Sequence, residues 1–170
     1  MEPSDEFTYE RLEWGKEDVR PRRLIRAPGW RSLKPGSATG RLVGGHLWTI
    51  TYLAGTKYFP DFEDKILFWE DKESSTALTN QALWHFKMLG VFDKITGMLV
   101  GRVNPNDYRI SSNDFDLYST ILDATREYDF PIIADMDFGH TEPIITLPYG
   151  IKASMDVAKL GFSMLESAVS

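Results

Sequence analysis

Two residues stand out for the chemistry their types and spacing allow. Ile66-Leu67-Phe68-Trp69-Glu70-Asp71 reads as a buried strand that delivers a carboxylate at its end. Asp137-Phe138-Gly139-His140 reads as a short turn that delivers an imidazole, seventy positions after Glu70. A carboxylate that orients a histidine, and a histidine that takes a proton from a nucleophile, are two of the three groups of a hydrolytic triad. The third is missing. No serine lies in a Gly-x-Ser-x-Gly turn, and the chain has no cysteine. The sequence offers half an active site.

Other polar residues compete for attention. His46 follows Gly44-Gly45 at a helix start, where free backbone N–H groups can hold an anion; it is a candidate substrate contact, although a plain helix-start residue has the same pattern. His85 sits beside Trp84 in a helical stretch and reads as a helix-face residue. The three histidines show no metal-ligand spacing, so no metal is expected. Asp135 and Asp137 flank Met136 and could bind a cation, although an ordinary loop is the plainer reading. Trp14 is the tryptophan expected to touch a ligand or partner, because it lies in a charged leader rather than an apolar run.

The elements that must position these groups alternate in type. His46 to Ala54 reads as a short helix stopped by Gly55, after a Gly44-Gly45 turn. Lys65 to Asp71, Gly97 to Val103 and Pro131 to Asp135 read as strands apolar enough to be covered on both faces. Ser75 to Leu89 reads as an amphipathic helix burying Leu78, Ala82, Phe86 and Leu89, with Gly90 as its stop. Asn113 to Tyr128 reads as a second helix, capped by Ser112 or Asn113, with Tyr118, Ile121, Leu122 and Thr125 inward. Ile144 to Leu147, Ile151 to Met155 and Lys159 to Leu165 read as short closing strands. Strands alternating with helices give an α/β class, and the late run of short strands gives a mixed sheet. Carboxyl ends of strands are where such folds gather functional groups, which is where Glu70 and His140 fall.

Composition bounds the rest. The 170 residues suit one domain, with 42% hydrophobic and 13% aromatic residues for a core. Residues 1–40, rich in charge and proline, read as a leader or interdomain linker, and 41–170 as the folded domain. A leader of this kind predicts a larger protein with a further domain upstream. A net charge of −6 argues against nucleic acid or an anionic membrane as partner. The one basic cluster, Arg20-Pro21-Arg22-Arg23, reads as a solvated edge or linker. The absence of cysteine excludes disulfides and thiolate metal sites and fits a reducing compartment. With no signal-like leader and no spanning run, a cytoplasmic location is the expectation.

Five ordered motifs carry a family resemblance: Gly40-Arg41-Leu42-Val43-Gly44-Gly45-His46-Leu47, Ala54-Gly55-Thr56-Lys57-Tyr58-Phe59-Pro60, Ile66 to Asp71, Asp137 to His140, and Thr146-Leu147-Pro148-Tyr149-Gly150. From roughly Arg26 to Met155 the chain resembles the C-terminal domain of the LD-carboxypeptidase family of serine peptidases, which includes muramoyltetrapeptide carboxypeptidases and microcin C self-immunity proteins. The resemblance implies a swivelling-type β/β/α domain that forms the C-terminal half of a two-domain enzyme. It implies that Glu70 and His140 are the acid and base of a Ser-Glu-His triad, with serine and oxyanion hole on the upstream domain. It implies hydrolysis of an L,D-peptide or of a peptide–nucleotide antibiotic conjugate, without metal or cofactor, in a family that tends to dimerise. The isolated chain is then expected to be inactive. The family usually carries Gly-Gly-Asn-Leu where this chain has Gly44-Gly45-His46-Leu47. The alternative is a non-catalytic domain that binds a peptide or nucleotide conjugate, or an assembly module.

Overall fold

The computed structural model describes residues 1–17, 19–72, 74–103 and 116–169. Its strands are β1 (Glu6–Phe7), β2 (Ile25–Arg26), β3 (Arg31–Lys34), β4 (Ser37–His46), β5 (Lys65–Glu70), β6 (Gly97–Arg102), β7 (Ile132–Gly139), β8 (Lys152–Asp156) and β9 (Gly161–Met164). Its helices are α1 (Leu47–Tyr52), α2 (Thr76–Met88) and α3 (Leu117–Ala124). Seven strands make one mixed, curled sheet in the order β3-β7-β6-β5-β4-β8-β9. The central four, β7, β6, β5 and β4, run parallel, and the flanking β3, β8 and β9 are antiparallel to their neighbours. This is the α/β mixed-sheet architecture expected.

The central strands are apolar throughout because both faces are covered. One face packs under the helices, where Leu67, Trp69, Met98 and Val100 meet Ala82, Leu83, Phe86 and Ile121. The other gathers Leu42, Ile66, Leu99, Ile133, Met136 and Phe138 under Trp30, Met155 and Phe162. The sheet therefore curls, so that β8 and β9 help cover the strands beside them.

Several local expectations shift. The buried face of α2 is Thr79, Ala82, Leu83 and Phe86, whereas Leu78 and Leu89 are exposed. That face is rotated from the expected one, because the helix tilts Thr79 and Leu83 toward the sheet. The cap of α3 is Asp116, whose carboxylate accepts from the N–H groups of Tyr118 and Ser119; Ser112 and Asn113 lie outside the described residues. Leu122 faces solvent and Thr120, Ile121 and Ala124 face inward. Gly44-Gly45 is not a turn but the end of β4, hydrogen-bonded in register with Phe68 and Trp69 of β5. Ile144 to Leu147 forms no strand; Pro143 and Pro148, which have no N–H to give a ladder, bracket it. The closing strand is Gly161–Met164.

Residues from the stretch read as a leader enter the fold. Phe7 and Trp30 are buried, and β3 and the first residues of β4 are sheet strands.

Candidate functional site

The parallel strands β4, β5, β6 and β7 point the same way, so their carboxyl ends form one edge. That edge carries His46, Glu70, Arg102 and, one residue past β7, His140. Glu70 ends β5 and His140 follows β7, two strands separated by β6, and the side chains meet across that middle strand. Nδ1 of His140 lies 2.5 Å from Oε2 of Glu70. The glutamate side chain is 11% exposed and the imidazole 38%. A carboxylate accepts, so in the neutral imidazole the shared proton belongs to Nδ1 and the opposite ring nitrogen, Nε2, keeps its lone pair. The acid is packed away and the base stays open to solvent on one side. This is the geometry in which a carboxylate fixes the tautomer of a working base.

Two glycines make the meeting possible. A Cβ at Gly139 would come within 3.0 Å of Oε2 and 2.9 Å of Cβ of Glu70, and the residue holds φ +105°, which L side chains rarely adopt. A Cβ at Gly101 would lie 2.6 Å from the carbonyl oxygen of Phe138 and 2.9 Å from Cβ of Glu70. Side chains at either position would push the acid away from the base.

His46 stands directly beside the pair. It is paired in register with Glu70 across β4 and β5. Its ring lies 6.3 Å from that of His140, edge to face. Nδ1 accepts from the N–H of Thr49 and so caps α1, and Nε2 is 3.6 Å from Oδ1 of Asp71. Asp71 is a neighbour the sequence reading left unassigned. Burial pushes its carboxyl above the ordinary aspartate range, against the pull of hydrogen bonds from Thr79, Ser74 and the Lys72 N–H and of the nearby His46. Trp14, the other expected ligand contact, is 88% exposed.

Asp135 and Asp137 lie in strand β7 rather than a loop. Both are occupied by protein partners, and the described residues include no group of side chains arranged for a metal. Asp135 takes Arg31 at 3.2 Å and the hydroxyl of Tyr118 at 2.9 Å; burial and that carboxylate push the Tyr118 phenol up to about 12. Asp137 takes Arg102 at 2.7 Å, the indole N–H of Trp30 at 2.9 Å and the hydroxyl of Ser4 at 2.6 Å. Burial opposes its charge, but these donors outweigh burial and hold the carboxyl below the ordinary range. Two positions later the chain reaches Gly139 and the base. On the far side of His140, the N–H and C=O of Thr8 pair with those of Glu142 at 2.8 and 2.9 Å. The N-terminal segment thus grips the chain before and after His140.

Residues 39–155 match the family described as the LD-carboxypeptidase C-terminal domain. The microcin C7 self-immunity protein MccF of Escherichia coli is 27% identical over 169 residues, covering 98% of this chain and 48% of the relative. A Bacillus subtilis protein named "Probable murein peptide carboxypeptidase" is 30% identical over 138 residues, covering 81% of this chain and 43% of the relative. The solved structure of MccF in complex with glutamyl sulfamoyl guanosine superposes with a TM-score of 0.86 at 26% identity, over 98% of this chain and 50% of that one. The chain spans about half the length of the curated relatives it matches. Among the described residues no helix is long and apolar enough to cross a membrane.

Proposed function

The chain belongs to the LD-carboxypeptidase family, in its C-terminal domain, and on that premise we propose that Glu70 and His140 are the acid and base of a serine hydrolase whose nucleophile lies on an upstream domain. Glu70 holds the His140 imidazole with its proton on Nδ1. Nε2 takes the proton of the upstream serine as its oxygen attacks an amide carbonyl, then returns it to the departing amine. Glu70 keeps its charge throughout and stabilises the imidazolium that forms. The described residues supply neither nucleophile nor oxyanion hole, so the largest electrostatic contribution must come from the partner domain.

The substrate is an L,D-peptide of the murein type or a peptide–nucleotide conjugate; the name of the Bacillus subtilis relative supports the first, and the glutamyl sulfamoyl guanosine ligand in the solved MccF complex supports the second. The reading is carried by the Glu70–His140 hydrogen bond, made by a buried acid and an imidazole left partly open.

The test joins this chain to the serine-bearing N-terminal half of a relative and follows release of amino acid or amine from both substrate types. The joined protein is expected to hydrolyse one of them, the chain alone neither. His140→Ala should lower kcat about a hundredfold to ten-thousandfold. Unchanged turnover in His140→Ala, or hydrolysis by the chain alone, overturns the reading.

A further inference from the structure

Beside the base lies a cavity of about 160 Å³ that the mechanism above does not use. One wall is the N-terminal segment, with Thr8, Glu10 and Arg11; the other is the chain around the base, with Gly139, His140 and Glu142. Its volume suits a group the size of one small amino acid. Its charges are mostly spoken for. Arg22, also on the lining, pairs with Glu142. Glu10 accepts from Arg20 at 3.0 Å and from the N–H of Arg23 at 2.8 Å. Arg11 has no carboxylate partner among the described residues. Its guanidinium reaches a single acceptor, the carbonyl oxygen of His140, through Nη2 at 3.4 Å.

We propose that Arg11 is the anion-binding residue of this subsite and receives an oxyanion carried by the substrate. That oxyanion is the terminal carboxylate of a peptide, or the acidic linkage of a nucleotide conjugate. A guanidinium presents several N–H donors in one plane, which suits a planar or tetrahedral oxyanion. The remaining donors of Arg11 have no carboxylate to satisfy them, while the acidic residues of the same cavity are already paired. An incoming anion therefore meets one available cation and no free carboxylate. Because Arg11 also touches the backbone of His140, an anion held there places the neighbouring substrate carbonyl on the side of the base. An amide in place of the anion would lose the charge-assisted bond and leave Arg11 as it was. The inference rests on the proposed function for the role of His140, but binding is read without turnover.

The experiment titrates the chain, labelled for NMR, with N-acetyl-D-alanine, with its amide, and with adenosine monophosphate. Saturable shifts at residues 139–142 and at Nε of Arg11 are expected with at least one anion. The amide should bind about tenfold or more weaker. Arg11→Gln should abolish the shifts and Arg11→Lys retain part of them; Arg11 is exposed, so both variants fold. Shifts from the carboxylate alone assign the peptide terminus, and shifts from the phosphate alone assign the nucleotide linkage. Equal binding of acid and amide, binding that survives Arg11→Gln, or no saturable shift at tens of millimolar overturns the proposal. In the joined protein, Arg11→Gln should raise KM and leave kcat largely intact, whereas His140→Ala lowers kcat. The two readings thus fail separately.

Discussion

Two of the carboxylates toward the carboxyl edge of the sheet, Glu70 and Asp137, have opposite surroundings. Glu70 has one strong partner, His140, and that partner is 38% exposed. Asp137 has three, Arg102, Trp30 and Ser4, and both it and Arg102 are buried. Arg102 is further enclosed by the ring of Phe7, 4.3 Å from its guanidinium. A carboxylate saturated by fixed donors can only hold structure in place. A carboxylate spent on one partly open imidazole can keep that ring in one tautomer. The comparison separates a residue that fixes the scaffold from one that, on the proposed function, serves the chemistry, although both are acids on central strands of the same sheet.

The sharpest way to break the comparison is Glu70→Gln in the protein joined to a serine-bearing domain. The amide can offer His140 an N–H and favour the wrong tautomer, so kcat should fall by up to about ten-thousandfold, with little change in Tm. Asp137→Ala should do the reverse. It leaves Arg102 buried without its counter-charge and should cost about 3–5 kcal/mol of stability, read as a lowered Tm in thermal unfolding. A change in activity without loss of Tm in Asp137→Ala would erase the distinction. Gly139→Ala lies between the two. The strained φ and the collision with Glu70 should cost about 1–3 kcal/mol and weaken the Glu70–His140 hydrogen bond, seen as a changed imidazole proton resonance.

Acid sharpens the picture further. Asp137 is held below the ordinary aspartate value of about 3.9, so its contribution is fully present above that value and is lost as pH falls through its lower folded value. Asp71 is raised by burial, so whatever stability its neutral form supplies is present below about 3.9 and is lost as pH rises through its higher folded value. Asp137→Asn should therefore flatten the acid limb of a Tm–pH profile, and Asp71→Asn the part just above it. The smallest effect is expected at Trp14. Its ring is 88% exposed, and Trp14→Ala should move stability by less than about 0.5 kcal/mol. A larger loss would mean that the indole packs against something in solution.

Much of the site was readable in the chain. An apolar run ending in Glu70 had to be a covered strand, and strand ends are where such folds place functional groups. His140 behind Gly139 was readable as a reactive side chain after a flexible residue. His46 reads in the sequence as a possible anion contact or as a plain helix-start residue; the structure shows the helix-start role, a cap leaning on Asp71. The partners of Asp137 were not readable. Arg102, Trp30 and Ser4 lie 35, 107 and 133 positions away (137 − 102, 137 − 30 and 137 − 4), and no local pattern announces contacts that depend on how the N-terminal segment folds back. Arg11 was invisible for the same reason, as one charge among many in a stretch read as a linker.

Residue types and their order limit the elements and the candidate pair: the apolar runs force covered parallel strands, and the residue types at their ends limit the chemistry. Which side of the sheet those ends face depends on contacts between distant parts of the chain. Strict alternation along β7 would give Ile133 and Met136 opposite faces, yet both pack in the same core cluster. Asp135 takes φ +59°, and between Leu99–Ile133 and Gly101–Met136 two steps of β6 are matched by three of β7. A second slip separates Gly101–Met136 from Arg102–Gly139. Each bulge re-aims the residues that follow it, and together they bring His140 to the face on which Glu70 waits. A period-two pattern cannot reveal such a slip, because the bulged residue is held by its neighbours, Arg31, Tyr118 and the strand beside it, and not by anything in its own sequence.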